Sequence, residues 1–445
     1  MKVLACYRTG AYLVLVLMSL IYLGFMSRDG RWFFFDDFAA LRYVNDRSYA
    51  QIIGNSFVTR DVDYHKFLGY LVIKFLYNRF GTDYHPFLLG NFLVHTINAI
   101  LVFEVLTAVS RNRRVGLVLA GVFLIKLWLW WPSNFHDLLA GSWYFAALLI
   151  WIRIIGKDGS DLGNRNNLQM AGVAGLYLLG LATKATVVTM PAAFFLLLSM
   201  KRKTEDSEGN RRRKVPTALW LMTGFLVLYG FYFGRYFALG REKGTGYAAE
   251  YTVGTFLNSQ AKFWSGLAKF LPDSQLLVLG GFGLLALAGI AKQRRYLWFL
   301  GGAYLVSVAP TSFFKTHASP YYIYIPVIYA LMMIGRGVGQ RYFVLAALVV
   351  VLFDPTAGSR KMITKYRHGE YKGFDQRNME KLVVLTRGAI DRGEREFYFS
   401  SWEMSPNLYS AVYHDALGLF LGRSGFDAYR FGYDRNRETV IIRER

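Results

Sequence analysis

Long apolar runs separated by short polar connections dominate the first 353 residues of this chain. A helix needs about 20 apolar residues to cross the roughly 30 Å hydrocarbon core of a bilayer, and many of these runs approach that length. They predict about eleven membrane-spanning helices, at residues 7–26, 86–109, 115–131, 139–156, 169–183, 187–200, 216–237, 275–291, 296–312, 321–335 and 341–353. The expected fold class is therefore an all-α polytopic membrane protein.

Two polar segments are too long to be simple connections between spans. Residues 27–85 are expected to form a large first extracytoplasmic loop within a transmembrane domain that covers residues 1–353. Residues 354–445 follow the last run and include two strand-like segments, at 396–399 and 439–442. We expect this C-terminal segment to form a small α+β domain outside the membrane.

The charges of the connections predict the orientation of the chain. Cytoplasmic loops of membrane proteins carry an excess of Lys and Arg. With a cytoplasmic N-terminus, the inner loops hold twenty basic and five acidic residues, whereas the first outer loop holds eight basic and seven acidic. We expect a cytoplasmic N-terminus, an extracytoplasmic C-terminal domain and a bacterial inner or other plasma membrane. No small-residue cleavage motif ends the first run, so we expect it to remain as a span.

The composition excludes several other classes of protein. Of 445 residues, 54% are hydrophobic and 18% are charged, whereas soluble chains carry about 25% charge. The net charge of +22 would suit a nucleic-acid binder, but the hydrophobicity does not, and most of the excess lies in the predicted cytoplasmic loops. We therefore expect no nucleic acid as a partner. The single cysteine, Cys6, excludes a disulfide framework and a cysteine-based zinc site.

An acidic pair, Asp36 and Asp37, lies inside an aromatic patch ten residues after the first run. A carboxylate beside an apolar wall can act as a general base, because burial raises its pKa. The alternative is a solvated turn in which Asp37 caps a helix over residues 38–44. The residues alone favour this second interpretation.

Asn91, His95 and Asn98 follow a spacing of i, i+4 and i+7 in the run 86–109, so they share one helical face. This pattern is more typical of helix packing than of a site. Glu104 also lies inside this run and is either a pore residue or a pairing residue.

Further polar residues are predicted at the same outer boundary as the acidic pair. Lys184 separates the runs 169–183 and 187–200, where it either snorkels to the interface or neutralises an anion such as a lipid phosphate. Tyrosines near residue 322 are expected in an interfacial aromatic belt. The other members of this outward-facing set are His136, Asp137, Arg235, Arg241, Lys315, His317 and Tyr322.

The order of these features resembles the GT-C membrane glycosyltransferases, and most closely their branch similar to protein O-mannosyltransferases. The resemblance covers roughly residues 1–355. It is carried by the Asp36–Asp37 pair, residues 81–103, residues 137–140, Lys184 followed by Pro191, and residues 321–326. His65 and Lys66 stand where relatives often have Arg-Pro.

The resemblance implies transfer of a sugar from a polyprenyl-phosphate donor to an acceptor on the outer face of the membrane. Asp36, beside Asp37, would be the general base, and attack from the opposite face would invert the anomeric centre. Lys184, Lys315 and Arg235 would hold the departing phosphate. The resemblance implies no metal ligands, and a divalent cation stays open as a cofactor. The residues expected to line the site are His65, Lys66, Asn91, His95, His136, Asp137, His317 and Tyr322.

The chain also departs from this family. It carries no tandem repeats in its C-terminal segment, which favours a glycolipid or surface-polysaccharide acceptor over a protein. A flippase or transporter of lipid-linked glycans is an alternative function, and a polymerase or ligase of such glycans is another. The spans do not form two related halves with polar sites at mid-membrane, which disfavours a carrier.

Overall fold

A computed structural model describes most of the N-terminal three quarters of the chain and three strands near its C-terminus. The described residues are 2–29, 35–58, 66–126, 134–156, 164–205, 219–227, 230, 250–268, 294–313, 320–337, 384, 388, 392, 396–400, 429–434 and 439–444.

The described part is mostly helical. Its helices are α1 (Lys2–Asp29), α2 (Phe35–Asn45), α3 (Tyr49–Val58), α4 (Phe67–Phe80), α5 (Tyr84–Ser110), α6 (Arg113–Lys126), α7 (Phe135–Gly156), α8 (Asn164–Leu181), α9 (Met190–Glu205), α10 (Val253–Ala268), α11 (Arg294–Ser312) and α12 (Val327–Gly337). Short 3-10 turns precede α9 and α12, at Ala185–Thr189 and Pro320–Ile323. Residues 219–227 are also helical.

Three described helices are long and apolar enough to cross a membrane. The qualifying segments are Tyr7–Gly24, Tyr84–Ser110 and Phe135–Gly156, and they coincide with three of the predicted runs. Among the described residues, the apolar helical segments Asn167–Leu181, Ala185–Met200 and Val327–Arg336 are shorter than a full span. The runs predicted at 275–291 and 341–353 lie outside the described residues. The structure therefore agrees with a helical membrane protein.

Helix α5 is the centre of the bundle. It packs against α1, α6, α7 and α12, and its apolar side chains lie on all its faces. A helix that is hydrophobic all round has to be surrounded, by protein or by lipid. Phe92, Phe103 and Val102 are accordingly buried, while Leu89 and Leu93 are exposed.

Side-chain contacts give the directions of the helices around α5. Arg8 contacts Glu104 and Ser19 contacts Thr96, so α1 runs antiparallel to α5. Asn98 contacts the Leu138 carbonyl and Glu104 contacts Arg153, so α7 runs parallel to α5. One end of the bundle consequently holds Glu104 with two arginines, and the start of α7 lies at the other.

The described residues of the predicted first outer loop include the helices α2, α3 and α4, of which α2 and α4 lie side by side. The rings of Tyr43 and Tyr70 are 4.5 Å apart between centroids, and Lys74 Nζ donates to the Val44 carbonyl at 2.7 Å. Higher numbers on α2 meet higher numbers on α4, so the two helices run in the same direction. The N-terminus of α2 is therefore at the same end of this pair as the N-terminus of α4.

Three antiparallel strands lie within the segment 354–445. They are β1 (Glu396–Ser400), β2 (Tyr429–Asp434) and β3 (Thr439–Glu444), in the order β1-β3-β2. Phe397 pairs with Ile442 and Phe431 pairs with the same residue from the other side. The two segments with a strand-like pattern fall on β1 and β3.

Candidate functional site

An ion pair between Lys184 and Asp137 is the centre of the candidate site. Asp137 lies in the first turn of α7, where the helix dipole favours a negative charge. Lys184 follows α8, which ends in a turn where the Lys184 backbone N–H donates to the Gly180 carbonyl at 2.8 Å. Both side chains are only 12% exposed. A buried pair of this kind needs both charges, since either one alone would be poorly solvated.

Tyr322 completes one side of this pair. Lys184 Nζ lies 5.6 Å from the centroid of the Tyr322 ring, within the range of a cation–π contact. Tyr322 is buried and its ring packs on Phe263 of α10. It therefore lies inside the protein and does not face lipid.

His136 joins the ion pair to the start of α4. Its ring hydrogen-bonds the backbone of Lys66 and packs edge-on against Tyr70, with 4.6 Å between ring centroids. A Cβ on Gly69 would stand 2.0 Å from His136 Nδ1, so only glycine allows this approach. The Leu68 N–H also donates to the Ala182 carbonyl at 3.4 Å, which ties α4 to the connection that carries Lys184.

Five predicted site residues thus meet at one end of the bundle. We call them the polar cluster: Lys66, His136, Asp137, Lys184 and Tyr322. They come from α7 and from the connections before α4, after α8 and before α12. The cluster thus sets two lysines beside one carboxylate.

The acidic pair lies in the first turn of α2. This helix begins at Phe35, and Asp37 is fully buried, so the interpretation of Asp37 as the cap of a solvated turn is wrong. Asp37 precedes Tyr43 by six residues, or about 9 Å along a helix. Because Tyr43 lies beside Tyr70 and α2 runs parallel to α4, this offset brings the acidic pair toward the level of Lys66.

A closed hydrogen-bond network lies beside the cluster in the core. The Tyr324 hydroxyl donates to His95 Nδ1 at 2.7 Å, and His95 Nε2 donates to the Leu124 carbonyl at 3.0 Å. The carbonyl only accepts, so it assigns the ring proton to Nε2. Asn98 Nδ2 donates both to the Tyr324 oxygen at 2.9 Å and to the Leu138 carbonyl at 2.8 Å. His95 and Asn98 are therefore fully buried packing partners.

Tyr324 belongs to the tyrosine-rich stretch 321–326, but the sequence did not predict it as a site residue. The Gly141 position of α7 makes room for its ring, since a Cβ there would stand 2.5 Å from Tyr324 Cε1. Asn91, the third polar residue on the shared face of α5, is also fully buried. The signal that could have indicated Tyr324 is its position two residues after Tyr322, in a stretch rich in aromatic side chains.

Four predicted site residues lie outside the described residues: His65, Arg235, Lys315 and His317. Within the described ranges, no group of three or more His, Cys, Asp or Glu side chains is arranged to hold a metal ion. The chemistry that can be read from the described part is therefore that of the polar cluster and the acidic pair.

Comparison with known proteins adds no family to this picture. No protein-family model matches the chain, and no curated protein matches it significantly. What this chain does therefore has to be inferred from the geometry of its own residues.

Proposed function

We propose that this protein is an integral-membrane glycosyltransferase of the GT-C type. It moves a sugar from a polyprenyl-phosphate donor to an acceptor on the extracytoplasmic face of a plasma membrane. The proposal includes about eleven spans, a cytoplasmic N-terminus and an extracytoplasmic C-terminal domain, as expected from run lengths and loop charges.

The observation that carries the proposal is the convergence of the polar cluster at the end of the bundle where α4 and α7 begin. Lys184 and Asp137 are separated by 47 positions, yet they meet beside His136 at the end of the bundle toward which α2 brings its acidic pair. A site for sugar transfer from a lipid phosphate needs a base for the acceptor and cations for the leaving phosphate. The acidic pair and the two lysines supply these groups.

The chemical step follows from these roles. Asp36 accepts the proton of an acceptor hydroxyl, whose oxygen attacks the anomeric carbon as the bond to the phosphate oxygen breaks. The electron pair of that bond leaves with the polyprenyl phosphate, and attack from the opposite face inverts the anomeric centre. Lys184 stabilises the negative charge on the leaving phosphate, together with Lys315 and Arg235 as expected from the sequence, and Lys66 of the polar cluster adds a further positive charge. Asp137 holds the Lys184 ammonium in position until the ammonium also binds the phosphate.

The acceptor class is proposed from the C-terminal segment. Because it carries no tandem repeats, we favour a glycolipid or a surface polysaccharide over a protein acceptor. Membrane lipids surround the chain, and the lysines and arginines can meet a monophosphate donor without a divalent cation.

Transfer of labelled sugar tests the proposal directly. The protein is placed in lipid nanodiscs with a radiolabelled polyprenyl-phosphate sugar and candidate glycolipid acceptors. Asp36→Asn is expected to lower kcat by at least about 100-fold, the usual minimum contribution of a general base. Asp46→Asn is the matched control just after the end of the same helix, since the Asp46 side chain is 44% exposed and far from the cluster. Normal transfer by a folded Asp36→Asn variant would overturn the assignment of the base.

The role of Lys184 needs its own comparison. The double variant Lys184→Met with Asp137→Asn, which leaves neither charge unpaired, is expected to lower the rate of transfer about 100-fold, whereas Lys184→Arg keeps the charge and much of the activity. Lys262→Ala removes an exposed lysine on α10 and should leave the rate unchanged. Movement of a lipid-linked glycan across the membrane by the wild-type protein, without covalent transfer, would instead establish a flippase.

A further inference from the structure

A second charged group lies at the opposite end of the bundle, around Glu104. This glutamate lies six residues before the end of α5, within a candidate span, and its side chain is 8% exposed. Arg8 of α1 engages both carboxylate oxygens, with Nε 2.9 Å from Oε1 and Nη2 bonded to Oε2. The Tyr12 hydroxyl donates to Oε1 at 2.6 Å. An acidic group at this depth is costly unless it is paired, and Arg8 alone neutralises it.

Arg153 brings a second positive charge to the same carboxylate. Its Nη2 donates to Glu104 Oε2 at 3.4 Å from the last turn of α7. Two guanidinium groups on one carboxylate leave a net charge of one positive unit. The side chains of Arg8 and Arg153 are 47% and 50% exposed, so their outer edges reach the surface. A guanidinium has five N–H donors, and the bonds to Glu104 use only some of them in either arginine.

The surroundings of this pair of arginines are apolar on one side. On the same face of α5 as Glu104, two and three turns back along the helix, the side chains of Ile97 and Leu93 are 47% and 62% exposed. An exposed apolar strip on a membrane-spanning helix faces acyl chains, since water would not solvate it. Charge at the end of the strip and apolar surface along it match the two parts of a phospholipid.

We propose that Arg8 and Arg153, bridged by Glu104, form a binding site for the headgroup of an anionic phospholipid. The phosphate oxygens accept hydrogen bonds from the outer edges of the two guanidinium groups, and the acyl chains lie along α5. A lipid with one net negative charge, such as phosphatidylglycerol, balances the site. The zwitterionic phosphatidylcholine does not. On the proposed orientation this lipid belongs to the cytoplasmic leaflet, but the site does not depend on the proposed enzymatic activity.

Native mass spectrometry of the full-length protein can count the lipids that stay bound after release from detergent. The protein is titrated with phosphatidylglycerol or phosphatidylcholine. Arg153→Gln keeps the bidentate pair between Arg8 and Glu104, so we expect it to fold. We expect it to weaken phosphatidylglycerol binding about five-fold, the effect of one basic residue near a lipid phosphate. Arg153→Lys keeps the charge and should retain most of the binding.

Arg114→Gln is the matched control. It removes an exposed arginine from the same end of the bundle, but one that does not bond to Glu104. It should leave phosphatidylglycerol binding within about two-fold of the wild-type value. Unchanged binding in Arg153→Gln, or an equal loss in Arg114→Gln, would overturn the proposal in favour of unspecific attraction to basic loops. Displacement of the lipid by millimolar inorganic phosphate would also overturn it, since the acyl chains would then contribute nothing.

Discussion

Lys184 and Asp137 form an ion pair in which each side chain is only 12% exposed, although 47 positions separate them in the sequence. The pair connects the first turn of α7 to the turn that ends α8. Two consequences follow, one for stability and one for the candidate site. The lysine proposed to hold a phosphate is kept in position by a carboxylate, so each charge has to be tested together with its partner.

Breaking this pair from one side should destabilise the protein. Asp137→Asn leaves the Lys184 ammonium without its counter-charge, which we expect to cost roughly 3–5 kcal/mol of unfolding free energy. The double variant Asp137→Asn with Lys184→Met removes both charges and should recover more than half of that loss. Chemical unfolding in mixed micelles measures the free energy of unfolding of the wild type, the single variant and the double variant. Equal stability of the single variant and the wild type would contradict the buried character of the pair.

Gly141 should not tolerate alanine. The added Cβ would stand 2.5 Å from Tyr324 Cε1 and 3.3 Å from Asn98 Nδ2, so the ring has to move and the network around it is strained. We expect a loss of about 1–3 kcal/mol, measured as a shift of the thermal unfolding midpoint in detergent.

The matched control for this change is Gly172→Ala in α8. A Cβ at Gly172 meets no atom within 4 Å. Alanine is there expected to be neutral or to stabilise by up to about 1 kcal/mol, because it favours the helix more than glycine does. If both variants unfold at the same temperature, the close approach of Tyr324 to α7 is not as described.

The Tyr324 hydroxyl should contribute more to the free energy of unfolding than an exposed tyrosine hydroxyl does. Tyr324→Phe leaves His95 Nδ1 without its donor in a fully buried position and removes one acceptor from Asn98. The expected cost is about 1–3 kcal/mol in chemical unfolding. Tyr7→Phe, at a position that is 65% exposed, serves as the control and should change stability by less than about 0.5 kcal/mol. A neutral Tyr324→Phe variant would argue against the network.

The start of α5 should depend on pH through Asp83, which caps this helix by accepting from the His85 N–H at 3.1 Å. Partial burial raises the pKa of Asp83, but hydrogen bonds from the His85 ring and backbone outweigh it and hold the pKa below its ordinary 3.8. The charged carboxylate therefore stabilises the fold above pH 3.8, and this contribution is lost as the pH falls through the lowered pKa.

Two variants separate the cap from the charge at this position. Asp83→Ala removes both and should cost about 1 kcal/mol at pH 7. Asp83→Asn keeps a capping oxygen, so the difference in stability between this variant and the wild type reports the charge alone. We expect this difference to be smaller at pH 3 than at pH 7. Unfolding midpoints at the two pH values provide the measurement. If the stability difference between Asp83→Asn and the wild type were larger at pH 3 than at pH 7, the charged Asp83 would not stabilise the fold as expected.

Local sequence patterns predicted the long helices well. The runs 7–26, 86–109 and 139–156 fall within α1, α5 and α7, because a helix that crosses a membrane has to satisfy its own backbone and be apolar along its length. The shared face of α5 also indicated its buried polar residues. Glu104, for which pairing was one of two alternatives, is a pairing residue.

The first outer loop was predicted less well. Its helices α2, α3 and α4 are short, with 10 to 14 residues, and their composition is mixed. Short helices of this kind depend on the packing partners that bury one face, and the partners are distant in the sequence. Asp37 is buried and His136 packs against Gly69. Neither contact could be predicted from neighbouring residues, because the partners are distant in the sequence.

The sequence by itself determined a helical membrane protein, the positions of its longest helices and the residue types available for binding an anion. These properties depend on the apolar length and the charge of contiguous segments, which the order of residues contains directly. Only the tertiary structure decided that Lys184 meets Asp137, that His136 reaches the start of α4 and that Tyr324 closes a network with His95. Each of these contacts joins different helices or connections, and its formation depends on how their side chains fill a shared space.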